Sequence, residues 1–106
     1  MKKVISLEVP KTETEIQSEI TKYLEKNGFR VYRMNSGRVG GVRLHPTGTP
    51  DLLAMRRGIS IWIEVKKPGE EPTGDQKRIH KELRADGFKV YVVCSLEELL
   101  SYSNRG

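Results

Sequence analysis

Cysteine and histidine are almost absent. The 106 residues contain one cysteine, Cys94, and two histidines, His45 and His80. A single cysteine excludes a disulfide framework within the chain. The two histidines lie far apart, and no Cys/His cluster offers zinc ligands. Cys94 sits inside an apolar run and reads as a small buried residue rather than a reactive one. Long apolar runs are also missing, since none approaches the ~18 residues that a membrane span requires. The opening "MKKVISLEVPK" has two lysines but no extended apolar stretch and no small-residue cleavage site. A cytoplasmic setting is therefore expected.

Charge is plentiful. It makes up 31% of the residues, with a formal net charge of +5, and a basic chain of this size tends to attract polyanions. The length fits one domain over residues 1–106, with a modest core over about 12–100. After a short extended arm, "TETEIQSEITKYLEKNG" reads as a helix, with Ile16, Ile20, Tyr23 and Leu24 on one face. Thr12 and Glu15 form a capping box at its start, and Gly28 stops it. "FRVYRMNS" alternates as a strand. Ser36–Pro50 has no period and carries four glycines, which predicts a long loop of functional weight. "DLLAMRRGISIWIEVKK" reads as a hairpin, "PGEEPTG" as a second loop, and "DQKRIHKELRADG" as a helix with Gln76, Ile79, His80 and Leu83 on one stripe. "FKVYVVCS" is a further strand, and Ser95 with Glu98 caps a short last helix. Helix, three strands, helix, strand, short helix make an α/β domain.

The hairpin carries the chemistry. If Arg57-Gly58 is a two-residue turn, Leu53 faces Trp62 and Asp51 faces Glu64. Lys66 joins Glu64 on the same side of the sheet. Leu52, Ala54, Ile61, Ile63 and Val65 then make an unbroken apolar face, and a one-residue slip would destroy that agreement. Two opposed carboxylates repel unless a cation lies between them. Magnesium suits the pair, because it needs only one or two carboxylates and keeps several waters. The backbone carbonyl of Val65 offers a further oxygen. The Lys66 ammonium can hold the attacking water or stabilise charge developing on phosphorus. The pattern predicts a metal site for phosphodiester hydrolysis. A glutamate and a lysine two apart on a strand also occur as an exposed ion pair of small energy, so the proline-aspartate at the matching hairpin position strengthens the reading.

Pro50-Asp51, a hairpin, then Glu64-Val65-Lys66 resembles the PD-(D/E)XK nuclease superfamily. "TEIQ", "RMNSG", "GTPDLLA", "IWIEVKKPG" and "DQKRIHKELRADGFKVYVV" together resemble the VRR-NUC (virus-type replication-repair nuclease) domain over nearly the whole chain. The resemblance implies a restriction-endonuclease-like αβββαβ core with a central mixed sheet flanked by helices. It implies cleavage of DNA, branched or structured, with Mg2+ or Mn2+ as cofactor. A homodimer and a phage or bacterial origin are likewise implied by it. By position, Asp51 and Glu64 would ligate metal, Lys66 would be the catalytic lysine, and Gln76 would match a recurrent glutamine that orients Lys66 or the strand end. The first helix offers Glu13, Glu15, Gln17 and Glu19 as a supporting metal ligand, with Glu13 and Gln17 preferred because they share a helix side and Glu15 is used in the cap.

Asn35, Ser36, Arg38 and Arg43 in the long loop, with Lys67 and Lys77 near the active face, are the expected nucleic-acid contacts. Arg56 and Arg57, at the far end of the hairpin, are expected to serve the surface, and Trp62 to pack rather than stack on a base. Two rival readings are a non-catalytic DNA-binding module of the same fold and an RNA-directed nuclease.

Overall fold

A computed structural model describes residues 10–34, 38–39, 42–43 and 46–103. The chain runs α1 (Glu13–Lys26), β1 (Arg30–Arg33), β2 (Arg38–Val39), β3 (Val42–Arg43), β4 (Leu52–Arg56), β5 (Ile59–Val65), α2 (Gly74–Ala85), β6 (Lys89–Val93) and α3 (Leu96–Ser103). β1, β4, β5 and β6 form a mixed sheet in that order, antiparallel except for the β5–β6 pair. The expected αβββαβ core is thus α1-β1-β4-β5-α2-β6. Within the segment expected to be a plain loop, β2 and β3 instead pair as a small antiparallel ribbon, Arg38 opposite Arg43. Strands of two residues carry no alternation that a sequence pattern can register.

The hairpin register is the one its apolar pattern demands. Leu52 faces Ile63, Leu53 faces Trp62, and Arg56 faces Ile59 across the turn. Arg57 and Gly58 both have positive φ, 48° and 80°, which marks the primed turn that matches strand twist. One face of the sheet packs on α1 and α3. Ile16, Ile20 and Leu24 meet Leu52, Ala54, Ile63 and Val65, with Val93 and Leu99 completing the cluster. Tyr91 stacks on Tyr102 at the edge of this layer, ring centroids 5.3 Å apart. The crossover helix α2 lies on the opposite face, where Glu64 emerges, and His80 is its one fully buried residue.

The caps explain where the helices begin. Thr12 and Glu15 bond reciprocally at α1, and the accepted hydrogen bonds hold the Glu15 carboxyl below its ordinary pKa. α2 begins at Gly74, because Thr73 and Gln76 make a second reciprocal box inside the stretch read as loop. At α3 the Ser95 hydroxyl accepts from the Glu98 N–H, but the Glu98 carboxylate accepts from the Cys94 N–H rather than from that of Ser95. Cys94 itself is half-buried, not fully enclosed. Among the described residues, no helix is long and apolar enough to cross a membrane.

Candidate active site

Asp51 is delivered by a built turn. The Thr49 N–H and hydroxyl both donate to the Pro46 carbonyl, at 3.2 and 2.8 Å, and Pro50 behind them is fully buried. Gly48 lies against α2, where a Cβ would fall 2.5 Å from the Asp75 carbonyl oxygen, and its φ is +96°. Only glycine lets this turn close on the first turn of the helix. On the other side, the Met34 N–H donates to the Asp51 carbonyl at 2.8 Å, which extends the β1–β4 ladder by one step.

The side chain of Asp51 then turns toward β5. Its Oδ2 accepts the Val65 N–H at 2.8 Å, and its carboxyl lies close enough to that of Glu64 to share a proton. Both are buried, Asp51 at 8% and Glu64 at 1% exposure. Burial, and then the Asp51 charge and hydrogen bond, push the Glu64 pKa up to about 9, with the Lys66 ammonium pulling the other way. Lys66 is half-buried at the end of β5, and its N–H donates to the Val93 carbonyl at 2.9 Å.

α2 holds Glu64 from behind through two residues four apart. The Gln76 carbonyl is fixed on the Thr73 N–H at 2.8 Å, which leaves its amide to donate to Glu64 Oε2 at 3.2 Å. Of the two expectations for Gln76, Lys66 or the strand end, its hydrogen bond goes to the strand end, at Glu64. His80 Nε2 stands 3.5 Å from Glu64 Oε1, and neither atom has a hydrogen-bond partner. Burial, with the Arg84 and Lys66 cations nearby, holds the His80 pKa below its usual value. A neutral ring with its hydrogen on Nε2 aims that hydrogen at Oε1, slightly beyond full bonding distance.

Sequence reasoning found His80 only as one residue of a helical stripe. Its signal is the i, i+4 spacing with Gln76 on the helix that must cross back over the Glu64 strand.

The other expected residues are distributed as follows. Glu13 is half-buried in the first turn of α1, and its charge adds to the rise in the Glu64 pKa, so it faces the site. Gln17 is half-buried one turn further on. Glu19 instead accepts from Lys11 at 2.7 Å. Lys67 and Lys77 are exposed, and the Lys77 ammonium lies 3.5 Å from Glu71. Asn35 and Ser36 lie outside the described residues, as do the side chains of Arg38 and Arg43. Trp62 packs between Leu53 and Val90 in the sheet, half-buried, with its ring nitrogen enclosed and unpartnered.

Two buried carboxylates with an orphaned oxygen, braced by amide and imidazole, suit a hard cation. They do not suit zinc, which favours sulfur and nitrogen. Among the described residues, no three Asp, Glu, His or Cys side chains converge into a closed cage. That donor set fits an ion that keeps waters and takes substrate oxygens.

Fold and site define a member of the restriction-endonuclease-like nuclease class, and comparison with known proteins narrows it. The chain matches a solved VRR_NUC domain with a TM-score of 0.71 and 28% identity, over 87% of this chain and 94% of the other. It matches Archaeoglobus fulgidus Hjc, a Holliday junction resolvase, with a TM-score of 0.52 and 26% identity, over 77% and 67% of the two chains. A second VRR_NUC domain protein, 20% identical with a TM-score of 0.58, shares the fold. Residues 11–82 match the model of the archaeal Holliday junction resolvase (Hjc) family, and the chain belongs to that family. A curated protein of Acyrthosiphon pisum secondary endosymbiont phage 1, named "Putative nuclease p44", is 47% identical over 49 residues, 45% of this chain. The match spans 53% of that relative's length, about half.

Proposed function

We propose that the chain is a divalent-metal-dependent endonuclease acting on branched DNA, with Mg2+ or Mn2+ held by Asp51, Glu64 and the Val65 carbonyl. Glu13 and Gln17 support the ion from α1. The observation that carries this reading is the buried, opposed Asp51–Glu64 pair with its raised Glu64 pKa and unsatisfied Oε1. Such a pair is costly unless something positive offsets it. When bound, the cation neutralises phosphate charge and acidifies water.

The remaining work belongs to side chains. Gln76 and His80 fix the direction of the Glu64 carboxylate. Lys66 orients a water in line with the scissile phosphorus and donates to the phosphoryl oxygen as negative charge grows there. Water oxygen bonds to phosphorus and releases a proton to solvent, the bond from phosphorus to the sugar oxygen breaks, and that oxygen leaves with a proton from solvent. Asn35, Ser36, Arg38, Arg43, Lys67 and Lys77 contact the DNA backbone, which makes binding strongly salt-dependent. Two chains act together, since severing both strands of a junction takes two sites and one chain provides one.

The test is cleavage of labelled four-way junction, flap and linear duplex in magnesium or manganese. Glu64→Ala and Lys66→Ala are run alongside, with folding checked by circular dichroism. Each substitution should lower the rate by at least about 10²-fold, the scale of losing one preorganised electrostatic group. Cutting that survives in either folded variant, or that proceeds in chelator, would overturn the proposal.

A further inference from the structure

The hairpin tip, at the opposite end from the carboxylates, gathers cationic chemistry that the site does not use. Arg30 on β1 and Arg56 and Arg57 at the end of β4 line a concave pocket of about 460 Å³, with Asn27 and Ser60 among its polar walls and no carboxylate. All three arginines are exposed. Arg56 is anchored in place, since its guanidinium donates to the Asn27 carbonyl at 2.8 Å and lies 4.6 Å over the Phe29 ring. Neither Arg30 nor Arg57 has an acidic partner among the described residues. Exposed Arg78, by contrast, is balanced by Asp75 and Glu82.

The backbone adds an independent observation. Arg57 has φ 48°, in the left-handed region that asparagine or glycine occupies at far lower cost. A long cationic side chain held at the turn position least suited to it points to a use for its charge.

We propose that Arg30, Arg56 and Arg57 form a second phosphate-binding site, which grips the backbone of a DNA arm lying along the hairpin. This rests on reading the carboxylate site as the point of DNA cleavage. β4 spans Leu52–Arg56, so at 3.3 Å per residue the tip lies roughly 17 Å from Asp51. That is about half of the 34–36 Å repeat of B-form DNA, so a duplex aligned with the strands brings a second stretch of backbone to the tip. Arginine forks suit phosphate oxygens, so the contact fixes the arm's direction.

The experiment compares the unaltered protein with Arg57→Asn and Arg30→Gln in the presence of chelator. Binding is measured by anisotropy on duplexes whose arms reach either three or ten base pairs past the cleavage point. Arg57→Asn should melt at the same temperature or higher, because asparagine relieves the turn. On the long arm it should weaken binding several-fold and flatten the slope of log K against log salt by about 0.9, the loss of one phosphate contact. On the short arm it should change neither. Arg30→Gln should follow the same pattern. Unchanged affinity on the long arm in both folded variants would overturn the site. So would an equal loss on both arms, which would mark a general charge effect. Cleavage of the short-armed substrate by the unaltered protein in magnesium is read separately and bears on the carboxylate site alone.

Discussion

Burial raises the Glu64 pKa to about 9, whereas the same carboxyl in an unfolded chain titrates near 4.5. Between those values the folded state binds the proton more tightly, so metal-free stability falls as pH rises through that window. His80 acts in the opposite sense, because its folded pKa lies below the ordinary 6.5 and stability falls as acid forces a proton onto the buried ring. Among the described residues the Glu64 effect dominates from pH 6.5 to 9, and melting temperature in chelator should decline across that range. Glu64→Gln should flatten the decline, and added magnesium should reverse it by favouring the charged carboxylate. Differential scanning fluorimetry in matched buffers checks all three outcomes. The carboxylates and Lys66 were legible in the sequence because hairpin pairing puts them on one face. The roles of His80 and Gln76 were not, because a helical stripe does not say which strand it will cover.

Gly48 couples two elements that are distant in sequence, the turn into β4 and the N-terminus of α2. A methyl group there would meet Asp75 and Gln76 backbone atoms at 2.5 to 2.9 Å, on a residue at φ +96°. Gly48→Ala should therefore push the first turn of α2 away and loosen the Gln76 contact to Glu64. We expect a loss of about 2 kcal/mol or more, the left-handed penalty plus the clash, measured by urea denaturation. Activity should fall further than that of a comparably destabilised core variant such as Ile20→Ala.

The hairpin register was readable because five alternating apolar residues agree with only one pairing. The first residue of α2 was not, because proline, glycine and glutamate around Thr73 suggest a turn more loudly than a T-x-x-Q cap suggests a helix. The β2–β3 ribbon was missed for want of length.

At the scale of the molecule, the β4–β5 hairpin is local, the β1–β4 pair joins strands separated by the β2–β3 ribbon, and a third kind of contact is the β5–β6 pairing. It is parallel, and the chain reaches it only through α2. Gln76 and His80 ride on that crossover, so the bracing of Glu64 cannot exist until the crossover has docked. Hairpins form in microseconds, whereas non-local parallel pairing waits on a costly loop closure. The braced carboxylate site is thus expected to form after the β4–β5 hairpin. In a refolding experiment, manganese binding should lag protection of the β4–β5 hairpin amides, followed by pulsed hydrogen exchange. An unfinished chain emerging in a cell full of nucleic acid would hold two carboxylates at the mouth of a hairpin and no competence to cut.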